Sequence, residues 1–197
     1  VMMEKCLKSL KDDFGNTVHI MAGNVATLEA FDALARWGAD SIRVGIGGGS
    51  ICSTRLVSGH GVPTFQSIVD CARTEHDVSI IADGGIKTTG DMVKAIAAGA
   101  DFVMIGSMLA GTAETPGQIF KSGEGKKYKV YRGMASSEAQ NKWRGKSSTP
   151  EGVSTTVPYK GKVSDILRDV KGGIKSGFSY SGARSLQEFQ TRASFIR

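Results

Sequence analysis

Val78-Ser79-Ile80-Ile81-Ala82-Asp83-Gly84-Gly85 and, one helix later, Asp101-Phe102-Val103-Met104-Ile105-Gly106-Ser107 are the residues on which the fold turns. Both apolar runs are short and nearly continuous, the pattern of a strand covered on two faces in a parallel sheet. Between them Thr89-Gly90-Asp91 opens a helix over 92–98, which Gly99 closes. Outward from this pair the same unit recurs. A helix is predicted over 2–14, from the spacing of Met3, Cys6, Leu7, Leu10 and Phe14. Residues 18–23 form a short buried strand leading to Asn24, and Thr27 caps a helix that runs through Trp37 to Gly38. A strand follows over 40–44, then a helix over 63–73, and a further helix is predicted from Ser107 to near Phe120.

Residues 1–120 therefore hold four strand–loop–helix units, the signature of an α/β protein with a parallel sheet. A doubly wound open sheet and a (β/α)8 TIM barrel both fit, and both place sites beyond the C-terminal ends of their strands. Asn24, Cys52, Asp83 and Ser107 stand at those four positions. Asp-Gly-Gly after the third strand and Gly-Ser after the fourth suit the phosphate site of barrels, which follows the last two strands. The units are accordingly the last four βα units, the C-terminal half of a barrel. Four units do not close one, so the N-terminal half is missing from this chain or supplied separately. The chain opens at Val1 in the middle of a helical pattern, as a fragment would. Residues 121–160 form a finger or flap: polar over 121–129, a short helix over 138–143, then a mobile stretch rich in Gly, Ser, Thr and Pro over 144–158. Residues 161–197 are a helical segment completing the barrel, with an amphipathic helix over 165–178 interrupted by Gly172-Gly173 and a last helix over 185–192.

The loop after the second strand, residues 45–61, carries the chemistry. Gly45-Ile46-Gly47-Gly48-Gly49-Ser50-Ile51-Cys52-Ser53-Thr54-Arg55 spends four glycines in five residues before delivering a cysteine. Glycine permits backbone shapes and close approaches that a side chain blocks. Exposed N–H groups with Ser50 suit a phosphate, and Cys52 would then face whatever that phosphate carries. The competing reading is a flexible turn with an incidental thiol.

Composition narrows the class. The 197 residues carry a formal net charge of +6, with lysine and arginine scattered apart from Lys126-Lys127-Tyr128-Lys129. No basic face interleaved with aromatics is present, so no nucleic-acid partner is expected, and a small phosphorylated ligand suits the charge. Cys6, Cys52 and Cys71 are odd in number and widely spaced, giving neither a metal pattern nor a disulfide framework; reduced thiols and a cytoplasmic setting are expected. No apolar run approaches the ~20 residues of a membrane span.

The loop ending Ser-Ile-Cys-Ser-Thr resembles the active-site loop of the IMP dehydrogenase/GMP reductase family. Ala22-Gly23-Asn24-Val25 before it, and Ala82-Asp83-Gly84-Gly85-Ile86, Met104-Ile105-Gly106-Ser107, Tyr131-Arg132-Gly133-Met134, Tyr180-Ser181-Gly182-Ala183 and Phe195-Ile196-Arg197 after it, follow the family's order. Gly48 departs from it, where proline or serine is common. Asp-Gly-Gly with Gly-Ser alone also resembles FMN-dependent barrel oxidoreductases. The resemblance implies a purine nucleotide oxidoreductase acting at C2 of a purine 5'-monophosphate through a covalent bond to Cys52; Cys6 and Cys71, at apolar helical positions, are expected in the core. It gives Thr54 and Glu151 to proton handling. Ser50, Gly85, Gly106, Ser107 and Tyr131, with Gly84 beside them, go to the phosphate, Asp83 to the ribose diol, and Met134 and Ala135, with Gly133, to the base. Asn24 and Gly45 fall near the cofactor, NADPH or NAD. By the same resemblance the carbonyls of Gly47, Gly49 and Cys52 would hold a monovalent cation, potassium by the family's habit, and family members of this kind are homotetramers.

The resemblance covers two reactions. A short flap between Met134 and Glu151, containing Trp143-Arg144 and no Arg-Tyr pair, and Ser136-Ser137-Glu138 after Met134, favour GMP reductase, which converts GMP and NADPH to IMP, ammonia and NADP. Tyr131-Arg132-Gly133 and Val157-Pro158-Tyr159-Lys160-Gly161 look like bacterial IMP dehydrogenases, which take IMP, NAD and water to XMP and NADH. A non-catalytic nucleotide-binding module is the alternative from another class.

Overall fold

A computed structural model describes residues 2–196; Val1 and Arg197, the ends of the first helical pattern and of the Phe195-Ile196-Arg197 triplet, lie outside the described residues. The four strands β1 (Met21–Val25), β2 (Ser41–Val44), β3 (Ser79–Asp83) and β4 (Phe102–Met104) make one parallel sheet in the order β1-β2-β3-β4. Their register aligns Ala22 with Ile42 and Ile80, and Val44 with Ala82 and Val103. These side chains point to one face, where α2 (Leu28–Arg36), α4 (Thr64–Cys71) and α5 (Thr89–Ala97) cover them. Phe31, Ile42, Val44, Ile68, Cys71 and Met92 are buried there. The opposite face carries Met21, Gly23, Arg43, Ile81, Asp83 and Phe102, and both Met21 and Phe102 are more than half exposed.

Two Gly-Ala-Asp triplets, 38–40 and 99–101, build the same joint twice. The glycine ends a helix, the alanine is buried, and the aspartate accepts the N–H of a residue entering the neighbouring strand. Asp40 takes Ile20 N–H at 2.7 Å and Asp101 takes Ile80 N–H at 2.8 Å. Lys11 of α1 (Met2–Phe14) adds an ion pair to Asp40 at 2.7 Å.

Several expectations are corrected. The first strand is Met21–Val25, later than 18–23, because its ladder starts where Met21 meets Ser41. Cys71 is buried as expected, but Cys6 is exposed: α1 presents Leu7, with Leu10, to the core, and Cys6 lies off that stripe. No helix follows Ser107. Residues 107–115 make one turn and then an irregular path, because Gly111 passes against the Pro158 carbonyl with φ +88 and the Thr112 and Ala113 carbonyls are drawn to Lys129. The polar stretch hides an antiparallel sheet of β5 (Phe120–Lys121), β6 (Lys127–Arg132) and β7 (Ser154–Pro158), so the flap is irregular only before residue 154. Gly172-Gly173 does not interrupt its helix: α7 runs unbroken over Val163–Tyr180. A Cβ on Gly173 would stand 3.0 Å from Thr89 Cβ and one on Gly177 2.6 Å from Val93 Cγ1, so these glycines let α7 lie close against α5. The last helix, α8 (Leu186–Arg192), starts at Ser185 as expected, and Phe189 stacks on Phe178 at 4.4 Å.

Candidate active site

The loop after β2 turns back at once, held from three sides. Gly45 has φ +139, and a Cβ there would overlap the Asp83 carbonyl at the end of β3. Gly48 and Gly84 meet backbone to backbone: a Cβ on Gly84 would stand 3.1 Å from the Gly48 carbonyl carbon. Arg55, at the start of the short helix α3 (Thr54–Ser58), reaches back between Gly47 and Gly61 and donates to the Val62 carbonyl at 2.9 Å. Glycine is required at 45 and at 84, both with positive φ and both against backbone, so the loop is a shaped object.

Cys52 is half-buried, and its Sγ lies 3.2 Å from Thr54 Oγ1. Three chain segments meet around it in one run of backbone hydrogen bonds. Ser53 N–H donates to the Glu151 carbonyl at 2.9 Å and Val153 N–H to the Ile51 carbonyl at 3.1 Å. Glu151 N–H donates to the Ala135 carbonyl at 3.1 Å, and Gly133 N–H to the Val153 carbonyl at 3.0 Å. The expected catalytic residues Cys52, Thr54 and Glu151 and the expected base contacts Gly133, Met134 and Ala135 therefore share one small region, although a hundred positions of sequence separate them. By contrast, burial, with Asp70 and Asp32 near, pushes the Cys71 thiol up to about 11, so that sulfur is inert.

Asp83 ends β3, and its Oδ2 accepts from Asn24 Nδ2 at 2.7 Å and from Arg43 at 2.7 Å. Asn24 Nδ2 also donates to the Gly45 carbonyl at 2.8 Å, joining the ends of β1, β2 and β3. Asp83 Oδ1 and Asn24 Oδ1 accept no hydrogen bond among the described residues. Arg43 escaped the sequence reading. Its signal was parity: a lone arginine between the core residues Ile42 and Val44 points to the other face of the sheet.

Gly84-Gly85 and Gly106-Ser107 leave β3 and β4 at the same sheet edge, since Asp83 pairs with Met104. Tyr131 of β6 brings its hydroxyl to Gly106, where a Cβ would stand 3.0 Å from it. The hydroxyls of Ser50, Ser107 and Tyr131 make no hydrogen bond among the described residues. A cleft of about 600 Å³ is lined by Gly48 and Arg55 of the cysteine loop, Gly84 and Gly85, residues of α4 and α5, and the tail residues Phe195 and Ile196.

Among the described residues no cluster of His, Cys, Asp and Glu can hold a metal, and no helix is long and apolar enough to cross a membrane. The expected cation ligands are carbonyls. Gly49 O accepts Cys52 N–H at 3.1 Å and keeps a lone pair, while Gly47 O and Cys52 O take no backbone hydrogen bond; such an all-oxygen donor set fits a hard cation.

Comparison with known proteins follows the same geometry. A family model described as the IMP dehydrogenase / GMP reductase domain matches residues 1–197. GMP reductase of Leishmania major is 50% identical over 97% of this chain and 41% of its own length. Inosine-5'-monophosphate dehydrogenase of Aquifex aeolicus is 47% identical over 91% of this chain and 39% of its own. A crystal structure of Trypanosoma brucei GMP reductase, a cysteine-to-alanine variant in complex with guanosine 5'-monophosphate, superposes with TM-score 0.92 at 46% identity, covering 98% of this chain and 42% of that one. The chain thus spans about two fifths of the length of the relatives it matches, and it belongs to the IMP dehydrogenase/GMP reductase family.

Proposed function

We propose that the chain is the C-terminal half of a (β/α)8 barrel and carries the catalytic centre of a purine nucleotide oxidoreductase, with GMP reductase its reaction. The observation that carries this reading is the half-buried Cys52 with Thr54 Oγ1 at 3.2 Å, on a loop hydrogen-bonded to the Glu151–Val153 segment. The GMP held by the Trypanosoma brucei neighbour supports a purine monophosphate as ligand. The two apolar residues exposed on the sheet, Met21 and Phe102, support an inner barrel face that an N-terminal half would cover. The assembly is proposed to be a homotetramer in the cytoplasm.

In this reading Ser50, Ser107, Tyr131 and the N–H groups around Gly84, Gly85 and Gly106 hold the 5'-phosphate. Asp83 Oδ1 accepts from the ribose hydroxyls while Arg43 and Asn24 fix its partner oxygen. Backbone at Gly133, Met134 and Ala135 orients the base, and the Cys52 thiolate bonds to C2. Thr54 and Glu151 move the protons that let ammonia leave: the C2–N bond breaks as the amine takes up protons, and the C2–S bond keeps the purine on the enzyme. The nicotinamide cofactor supplies hydride to C2 when bound, and Asn24 Oδ1, beside Gly45, is the acceptor placed to orient it. Thiolate then departs, so GMP, NADPH and two protons become IMP, NADP and ammonium. Gly47, Gly49 and Cys52 carbonyls would hold potassium, whose charge would stiffen the loop.

The flap favours reduction over hydrolysis. Its short helix α6 (Ser137–Arg144) is pinned by Gln140, which donates to the Ala135 carbonyl at 3.0 Å and accepts Ser148 N–H at 2.7 Å. Arg144 lies 5.1 Å from the ring of its exposed neighbour Trp143, and the flap carries no Arg-Tyr pair, which supports the reductase reading. Dehydrogenation of IMP is the second reading, favoured by Tyr131-Arg132-Gly133 and by the Aquifex relative. Incubating the full-length protein with GMP and NADPH, and separately with IMP and NAD, decides between them. Turnover in the second assay alone overturns the reductase assignment, and thiol labelling of Cys52 unaffected by either nucleotide overturns both.

A further inference from the structure

Lys129 is the one lysine of β6 whose side chain is buried, 3% exposed, and no carboxylate pairs with it among the described residues. Its ammonium donates to the Thr112 carbonyl at 3.0 Å, to the Ala113 carbonyl at 3.4 Å and to the Thr115 carbonyl. Three protons thus meet three backbone oxygens. A buried ammonium is tolerated only when so satisfied, and a methionine would fill the same space without that demand. Lys160 repeats the arrangement at the other end of the same segment, donating to the Ser107 carbonyl at 2.7 Å and the Met108 carbonyl at 3.2 Å. Burial lowers its pKa. Backbone bonds flank both: Lys160 N–H to the Gly111 carbonyl at 2.9 Å and Ala113 N–H to the Gly161 carbonyl at 2.7 Å.

The segment so gripped begins at Gly106-Ser107. Lys129 and Tyr131 are two apart on β6 and face the same side, so one strand holds the loop through Lys129 and meets Gly106 through Tyr131. Five carbonyls of residues 107–115 accept from two ammonium groups, and the segment they hold starts at Ser107, whose hydroxyl makes no hydrogen bond among the described residues. A doubly charged anion complements the two ammonium charges.

We propose that buried Lys129 and surface-exposed Lys160 form an ammonium clamp that positions the Gly106–Thr115 loop for the 5'-phosphate of the nucleotide, Lys129 acting as a positioning residue without touching the ligand. This rests on the nucleotide reading above. The test compares GMP with guanosine, which lacks the phosphate, by calorimetry on full-length Lys129→Met and Lys160→Met proteins. Affinity for GMP is expected to fall about tenfold or more in Lys129→Met, and less in Lys160→Met, while guanosine binding stays within about twofold. In turnover, KM for the monophosphate rises while kcat holds within about threefold. Equal loss for GMP and guanosine, or an unchanged ratio in both variants, overturns the clamp. Should Lys129→Met not fold, the ratio in Lys160→Met decides by the same criterion. A wild-type protein that binds no purine nucleotide refutes the function instead, a result the variants cannot mimic.

Discussion

Gly45→Ala is the sharpest probe of the loop's shape. Two costs add. The residue has φ +139, outside the comfortable range of an L side chain, and its new Cβ would overlap the Asp83 carbonyl oxygen and lie 3.0 Å from the carbonyl carbon. Neither neighbour is a flexible side-chain tip, so backbone must give. Clearing the overlap separates the cysteine loop from the end of β3 by about 1 Å or slightly more, and a misplacement of that size costs about a hundredfold in rate. Stability falls by about 2 to 4 kcal/mol, from left-handed strain and overpacking together. Urea unfolding and kcat/KM of the full-length enzyme measure both. Gly123→Ala is the control: a Cβ there meets nothing within 4 Å, so stability should stay within about 0.5 kcal/mol. If Gly45→Ala retains kcat/KM within about threefold of wild type, the claim that backbone contact at Asp83 aims the thiol is wrong.

Three further outcomes are expected. Cys52→Ala should bind nucleotide yet lose about 10³-fold or more in turnover, and near-normal turnover would exclude a covalent route. In α7 the two adjacent glycines should separate: Gly172→Ala, with open space around its Cβ, gains about 0.5 to 1 kcal/mol, whereas Gly173→Ala loses stability against Thr89, both read from chemical denaturation. Burial works to raise the Asp91 carboxyl, but the Thr88 hydroxyl, the Lys87 and Thr88 N–H groups and Lys94 outweigh it and hold the group down to about 2. Its contribution is therefore complete above about pH 4 and is lost as pH falls toward 2, so the wild type should shed about 1 to 2 kcal/mol across that window that Asp91→Asn does not shed. An identical pH slope in the two proteins would refute it.

The four parallel units and the loops at their ends were legible because each strand is an apolar run punctuated by glycine, and that punctuation is local. What failed depended on partners distant in sequence. Residues 107–120 have enough apolar content for a helix, and only Lys129 and Lys160, arriving from β6 and the end of β7, explain why their carbonyls turn elsewhere. Gly172-Gly173 reads locally as a break; the proximity of Thr89 and Val93 makes it a contact. The sheet of β5, β6 and β7 is exposed on most positions, so neither period survives in its sequence. At the site, Cys52 and the strand-end residues Asn24, Asp83 and Ser107 stood out by their place after a strand and Glu151 came only from the resemblance, while Arg43 and Arg55 were missed because an arginine inside a strand or a loop announces no partner.

Backbone bonds from Glu151–Val153 to Ile51–Ser53 on one side and to Gly133 and Ala135 on the other fix both margins of the flap beside the cysteine loop. Insertions or deletions at positions 145–147 would be absorbed as slack, leaving the distance between Cys52 and Glu151 untouched. Under the proposed reaction, the flap can thus change length, and with it the chemistry that follows at the base, without disturbing the cysteine loop; grafting a longer tether should leave the alkylation rate of Cys52 unchanged.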